Sequence, residues 1–151
     1  MHSETIDYQD GDTQLEAYVT WDDSISAPRA GVLVAHDWTG RRDFATSKAD
    51  EMAALGYVGF ALDMYGKGVF GADGDVEGNS ALMGALAGDR GMLRARMLAA
   101  LDTFKALGVV DNTKIGAMGY CFGGMCVLEL ARAGADVSGV ISIHGIFTPG
   151  D

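Results

Sequence analysis

Four short, largely apolar runs constrain this chain more than any other feature: Gly31–Ala35, Tyr57–Leu62, Lys114–Met118 and Val137–Ile143. Each has the length of a strand, and none alternates in polarity, as expected of strands covered on both faces. The stretches between them carry helical spacing. Phe44 to Leu55 repeats apolar residues at Phe44, Met52 and Leu55 and stops at Gly56, a good C-terminal cap. Ser80 to Ala87 and Met92 to Leu107 read as helices, the second with Leu93, Met97, Leu101 and Phe104 on one side. Phe122 to Arg132 is a further helix. Buried strands alternating with helices require a mostly parallel sheet with helices on both faces. An Asp10-Gly11 turn between Ser3–Gln9 and Gln14–Thr20 predicts a leading antiparallel hairpin. Trp21 to Arg29 reads as a connecting loop, and the glycine- and acid-rich Asp63–Asn79 as a loop at a strand end.

Composition narrows the function classes. With 11 basic against 21 acidic residues the net charge is −10, so nucleic acid and anionic membrane are poor partners. The 151 residues, 48% hydrophobic and 21% charged, suffice for one packed core. No apolar run approaches the length of a membrane span, and Met1–Asp12 is polar rather than a leader. Two cysteines, Cys121 and Cys126, cannot build a disulfide scaffold. A reducing, cytoplasmic location is the expectation, with no metal or cofactor.

The segment that carries chemistry is Gly119-Tyr120-Cys121-Phe122-Gly123-Gly124. It lies where a buried strand turns into a helix, the setting of a nucleophile elbow. There the central side chain is pushed out above the sheet, and the flanking glycines allow strand and helix to approach closely. The helix aims free N–H groups and its positive end at the sulfur, favouring thiolate. The Phe122 N–H is placed to receive an oxyanion. The alternative is a glycine-rich turn around a structural cysteine. A phosphatase loop would need arginine where Val127 stands, and a phosphate-binding loop would need Lys-Ser/Thr where Met125-Cys126 stand. Cys126 reads as a small core residue.

Four motifs in order, Val34-Ala35-His36-Asp37-Trp38-Thr39-Gly40, Gly56-Tyr57-Val58 leading to Leu62-Asp63-Met64-Tyr65-Gly66, the elbow, and Ser142-Ile143-His144-Gly145, resemble the dienelactone hydrolase family. These are cysteine-nucleophile members of the α/β-hydrolase superfamily, and the resemblance runs from about Gly31 to Gly145. It implies an α/β-hydrolase-type sheet and hydrolysis of activated esters or lactones, with phosphoesters as further electrophiles. Cys121 is similar to the family nucleophile. Asp37 falls where the family can carry an acid that contacts the resting cysteine, and Trp38 would give the second oxyanion N–H. Tyr65 and Lys67 fall in the substrate-binding segment. Lys67 stands near an arginine of carboxylate-binding members but lacks its bidentate fork. The plain alternatives are a turn role for Asp37, core packing for Trp38 and a solvated charge for Lys67.

In the superfamily the acid and histidine of the triad follow the nucleophile on later loops. Residues 1–151 read as one incomplete domain, truncated after the sixth strand. With the elbow strand expected between the strands ending at Ala35 and Ile143, His36 and His144 flank Cys121 as makeshift bases. The Val137–Ile143 edge is then expected to pair, most simply in a two-fold homodimer, or with a missing C-terminal fragment. Beside the ester hydrolase stands a second reading, a self-associating half-domain with little catalysis.

Overall fold

The computed structural model describes residues 1–150, so the last residue of the expected domain, Asp151, lies outside it. Six strands form one sheet in the order β1-β2-β4-β3-β5-β6. The hairpin is β1 (His2–Asp10) and β2 (Thr13–Trp21), closed by Gly11-Asp12 with Gly11 at φ +56°. β2 joins the rest antiparallel to β4 (Val58–Ala61). β3 (Arg29–Ala35), β4, β5 (Val110–Tyr120) and β6 (Gly139–Ile143) run parallel. The expected α/β architecture with its leading hairpin is what the chain adopts. β5 lies between β3 and β6, so Ala35 pairs with Gly119 and Tyr120 with Ile143. The ends of three strands thus meet at one sheet edge.

Side chains alternate between two cores, as the strand period demands. Val34, Ala61 and Met118 face α1 (Asp43–Ala54), whereas Leu33, Ala35, Phe60 and Ala117 face the opposite core. That core is completed by α3 (Arg90–Lys105) and α4 (Phe122–Arg132). The stripe Leu93, Met97, Leu101 and Phe104 is buried, as its spacing requires. α1 departs from expectation. Its buried face is Ala45, Ala49 and Ala53, while Phe44 and Leu55 are 45% and 70% exposed. Only small residues fit, because α1 lies almost on the backbone of β4: a Cβ on Gly59 would sit 2.2 Å from the Ala49 oxygen.

Two helices begin earlier than spacing suggests, each at an aspartate cap. Asp75 accepts from Gly78 N–H to start α2 (Val76–Ala87), and Asp89 accepts from Met92 N–H to start α3. No described helix is long and apolar enough to cross a membrane.

Candidate active site

At the end of β5 the backbone of Cys121 takes φ +56° and ψ −113°, a conformation that costs a non-glycine residue about 1–3 kcal/mol. Neighbours hold it there. Its N–H donates to the Ile143 carbonyl of β6 (3.0 Å), and its carbonyl accepts from Gly124 (3.0 Å) and Ile146 (3.3 Å). Three elbow glycines have no room for a side chain. A Cβ would lie 2.0 Å from the Gly123 oxygen at Gly119, 2.2 Å from the Ala35 oxygen at Gly123, and 2.4 Å from Ser142 Oγ at Gly124. The motif is therefore an elbow wedged between the ends of β3 and β6, with a partly exposed thiol at its tip.

The turn after β3 faces this tip and is fastened from below. Asp37 Oδ1 accepts from the Thr39 N–H (2.8 Å) and hydroxyl (2.6 Å), and Gly40 N–H closes on the Asp37 carbonyl (3.2 Å). The Tyr65 hydroxyl donates to the Trp38 carbonyl (2.8 Å), and its ring stacks on Phe122 at 5.8 Å and 17°. Tyr65 is itself placed by the buried carboxylate of Asp63, which accepts from the amides of Glu16, Tyr65 and Gly66. The N–H groups of Trp38 and Phe122 have no protein acceptor among the described residues. Two free amides beside a thiol can bind an oxyanion forming on an electrophile that the sulfur attacks.

The predicted site residues separate on inspection. Cys121, Phe122, Trp38 and Asp37 come together, with Asp37 bonded to Thr39 as a turn residue. His36 does not act as a free base. It is 1% exposed, Met64 N–H donates to its Nε2 (3.1 Å), and the proton this leaves on Nδ1 goes to the Asp37 carbonyl (2.6 Å). Burial pushes its imidazole below the ordinary value, although the Asp37 carbonyl opposes the shift. It braces the turn. Tyr65 braces the same turn through its hydroxyl, with burial raising its phenol. Lys67 is paired with Asp7 (2.8 Å) and Glu16 (3.5 Å). His144 stands exposed after β6 at φ +38°, its ring 6.2 Å from that of Tyr120. Cys126 is fully buried in α4, its thiol pushed far up by burial. Sequence reading missed the bracing role of Asp63, whose place two residues before Tyr65 was the available signal. Among the described residues no His, Cys, Asp and Glu cluster is arranged to hold a metal ion.

A family model described as the dienelactone hydrolase family matches residues 15–151. The crystal structure of the dienelactone hydrolase-like promiscuous phosphotriesterase P91, from metagenomic libraries, is 36% identical with a TM-score of 0.93. A second structure, m3DLH, is 37% identical with a TM-score of 0.94. Both similarities cover 99% of this chain and 62% of the other, so the chain spans about six tenths of the length of these relatives. An uncharacterized protein of Caenorhabditis elegans is 47% identical over 60 residues, 39% of this chain and 38% of that protein.

Proposed function

This chain belongs to the dienelactone hydrolase family, and from that premise we propose that it hydrolyses activated carboxylic esters and lactones through Cys121. The observation that carries the reading is the strained Cys121 at the mouth of α4, followed by a Phe122 N–H that has no protein acceptor among the described residues. The thiolate adds to the ester carbonyl carbon, and the carbonyl electron pair moves onto oxygen, where the Trp38 and Phe122 N–H groups receive it. Collapse breaks the bond to the alcohol oxygen, and the departing oxide takes its proton from water. Water then adds to the thioester and gives up a proton. The C–S bond breaks, and acid and thiolate are released. His144, with ring nitrogens uncommitted among the described residues, is the base proposed for that proton.

The same sulfur and donors suit a phosphotriester, whose phosphoryl oxygen takes the place of the carbonyl oxygen. The similarity to a promiscuous phosphotriesterase favours that as a secondary activity. A competing reading, self-association without turnover, draws on β6, where Ile141 is 63% exposed. Turnover of 4-nitrophenyl acetate by the wild type and by Cys121→Ala decides between them. The expected loss is on the order of 10³-fold or more; undiminished turnover by Cys121→Ala would exclude the thiol as nucleophile.

A further inference from the structure

Phe44 contributes nothing to the core that α1 builds with its alanines. It is 45% exposed, although a ring of this size gains by being covered. Its position is not arbitrary. The ring meets Tyr120 edge-on at 5.0 Å and 83°, and Tyr120 continues to His144 at 6.2 Å. Lys48 closes one side of the pair, its ammonium 5.4 Å from the Phe44 centroid and 6.0 Å from that of Tyr120. Three rings thus run across the ends of β5 and β6, and the middle one is the residue before Cys121. On the far side of the Trp38 turn Phe70 is 47% exposed, its ring edge against Gly40.

The rim has a definite charge. Phe44 lines a depression of about 260 Å³ together with Asp37, Thr39, Arg42, Asp43 and Asp73. Three carboxylates face one guanidinium, which itself pairs with Asp73 at 2.8 Å. The lysine that could have met an anionic substrate is held by Asp7 and Glu16. A carboxylate or phosphate on the substrate finds a net charge of −2 here and no free cation among these lining residues.

We infer that the site takes esters of uncharged or cationic phenols, the aryl ring of the leaving group seated against Phe44, Tyr120 and His144. The inference rests on the Cys121 reading above and names its substrate class. An aryl oxide also suits the chemistry. A phenol has a pKa near 10, so the oxide departs without first being protonated, and the site needs no strong acid beside the sulfur. Packing against the row is worth about two- to tenfold in kcat/KM. A quaternary ammonium gains further from the acidic rim, since the Lys48 ammonium that already covers the Phe44 and Tyr120 rings has its charge met by Glu51 at 3.0 Å.

The test compares phenyl, 4-carboxyphenyl and 4-(trimethylammonio)phenyl acetates with trifluoroethyl acetate, an activated ester without a ring. Each rate is divided by its hydroxide-catalysed rate. Expected are a preference for the aryl esters and an order of cationic, neutral, anionic that narrows with added salt. The aryl-to-alkyl ratio should fall about two- to tenfold in Phe44→Ala and Phe44→Leu. His144→Asn, which keeps a residue tolerant of positive φ, should lower it in the same direction. A ratio unmoved in all three variants, or an anionic ester preferred, overturns the inference. Turnover surviving in Cys121→Ala overturns the nucleophile instead, so the two failures are distinct. A readout without turnover comes from alkylation of Cys121, in which the S–C bond forms and iodide leaves. N-phenyl iodoacetamide should react faster than iodoacetamide in wild type, with the advantage reduced in Phe44→Leu. Equal advantage in both proteins counts against the aryl seat.

Discussion

Cys121 and Cys126 stand five residues apart and have opposite surroundings. One is partly exposed at a helix mouth; the other is enclosed in α4, where burial raises its thiol and removes it from reaction. Iodoacetamide under native conditions should label Cys121 at least tenfold faster, and peptide mass mapping would reveal the reverse preference if the assignment is wrong. His36 gives a second prediction at this scale. Its folded pKa lies below the unfolded value near 6.5, so between the two the unfolded chain binds more protons. Its contribution is therefore complete above pH 6.5 and declines as pH falls below it, by at most about 1.4 kcal/mol per pH unit for one proton. Urea denaturation from pH 8 to pH 5 should show this slope in the wild type and a shallower one in His36→Gln. Lys67 shows where residue-level reading stops. Its charge was legible, but its partners Asp7 and Glu16 come from the hairpin, more than 50 residues earlier, and no local pattern announces them.

Elements were legible wherever one period ruled. The Leu93–Phe104 stripe and the apolar runs of β3 and β4 identified themselves, because each buries a whole face. α1 misled because Phe44 and Leu55 are exposed and its closest contact with β4 is made of alanine and Gly59. A close helix-on-sheet approach selects small residues, which carry little hydrophobic signal. The starts of α2 and α3 were readable in Asp75 and Asp89, whose capping bonds set the first turns. β5 extends beyond its apolar run, taking in Asp111 to Thr113, which carry no apolar signal and still belong to the sheet's longest strand. The elbow needed its glycines, and the structure states the reason: a Cβ on Gly119 would strike the backbone of Gly123 at 2.0 Å. Gly119→Ala should therefore cost about 3 kcal/mol or more and slow alkylation of Cys121. Gly84, inside α2 with open space around it, is the control, and Gly84→Ala should stabilise by about 0.5–1 kcal/mol. Equal effects at the two positions would mean that close approach is not what keeps Gly119.

Across the whole molecule the least legible feature is how the helical layer is locked to the segment after β6. Glu129 on α4, its side chain 3% exposed, accepts from Arg90 (2.9 Å) and Arg94 (3.1 Å) of α3, and from Arg132. Arg90 goes on to the carbonyls of Ala87 (2.9 Å) and Thr148 (2.7 Å), tying α2, α3, α4 and residues 146–149 into one unit. Beside it runs the outer edge of β6, for which pairing with a second copy remains our proposal; a monomeric mass in sedimentation would remove it. Burial by itself would raise the Glu129 carboxyl, but the bonds from Arg94, Arg132 and Arg90 outweigh it and hold the group below the usual glutamate value. Glu129→Gln leaves the guanidinium of Arg90 buried without its counter-charge. A fully buried pair broken in this way costs about 3–5 kcal/mol. Arg94 and Arg132 are 34% and 51% exposed, and solvent screens their share, so roughly 2–3 kcal/mol is expected here. The sign with pH follows from the lowered pKa. The carboxylate's contribution is complete above the ordinary glutamate value of about 4.5 and is lost as pH falls through the folded value. Wild type and Glu129→Gln should thus differ most in urea stability at pH 7 and converge as pH falls through the folded value of Glu129. A gap that persists undiminished at low pH would show that shape and packing, rather than charge, hold this junction.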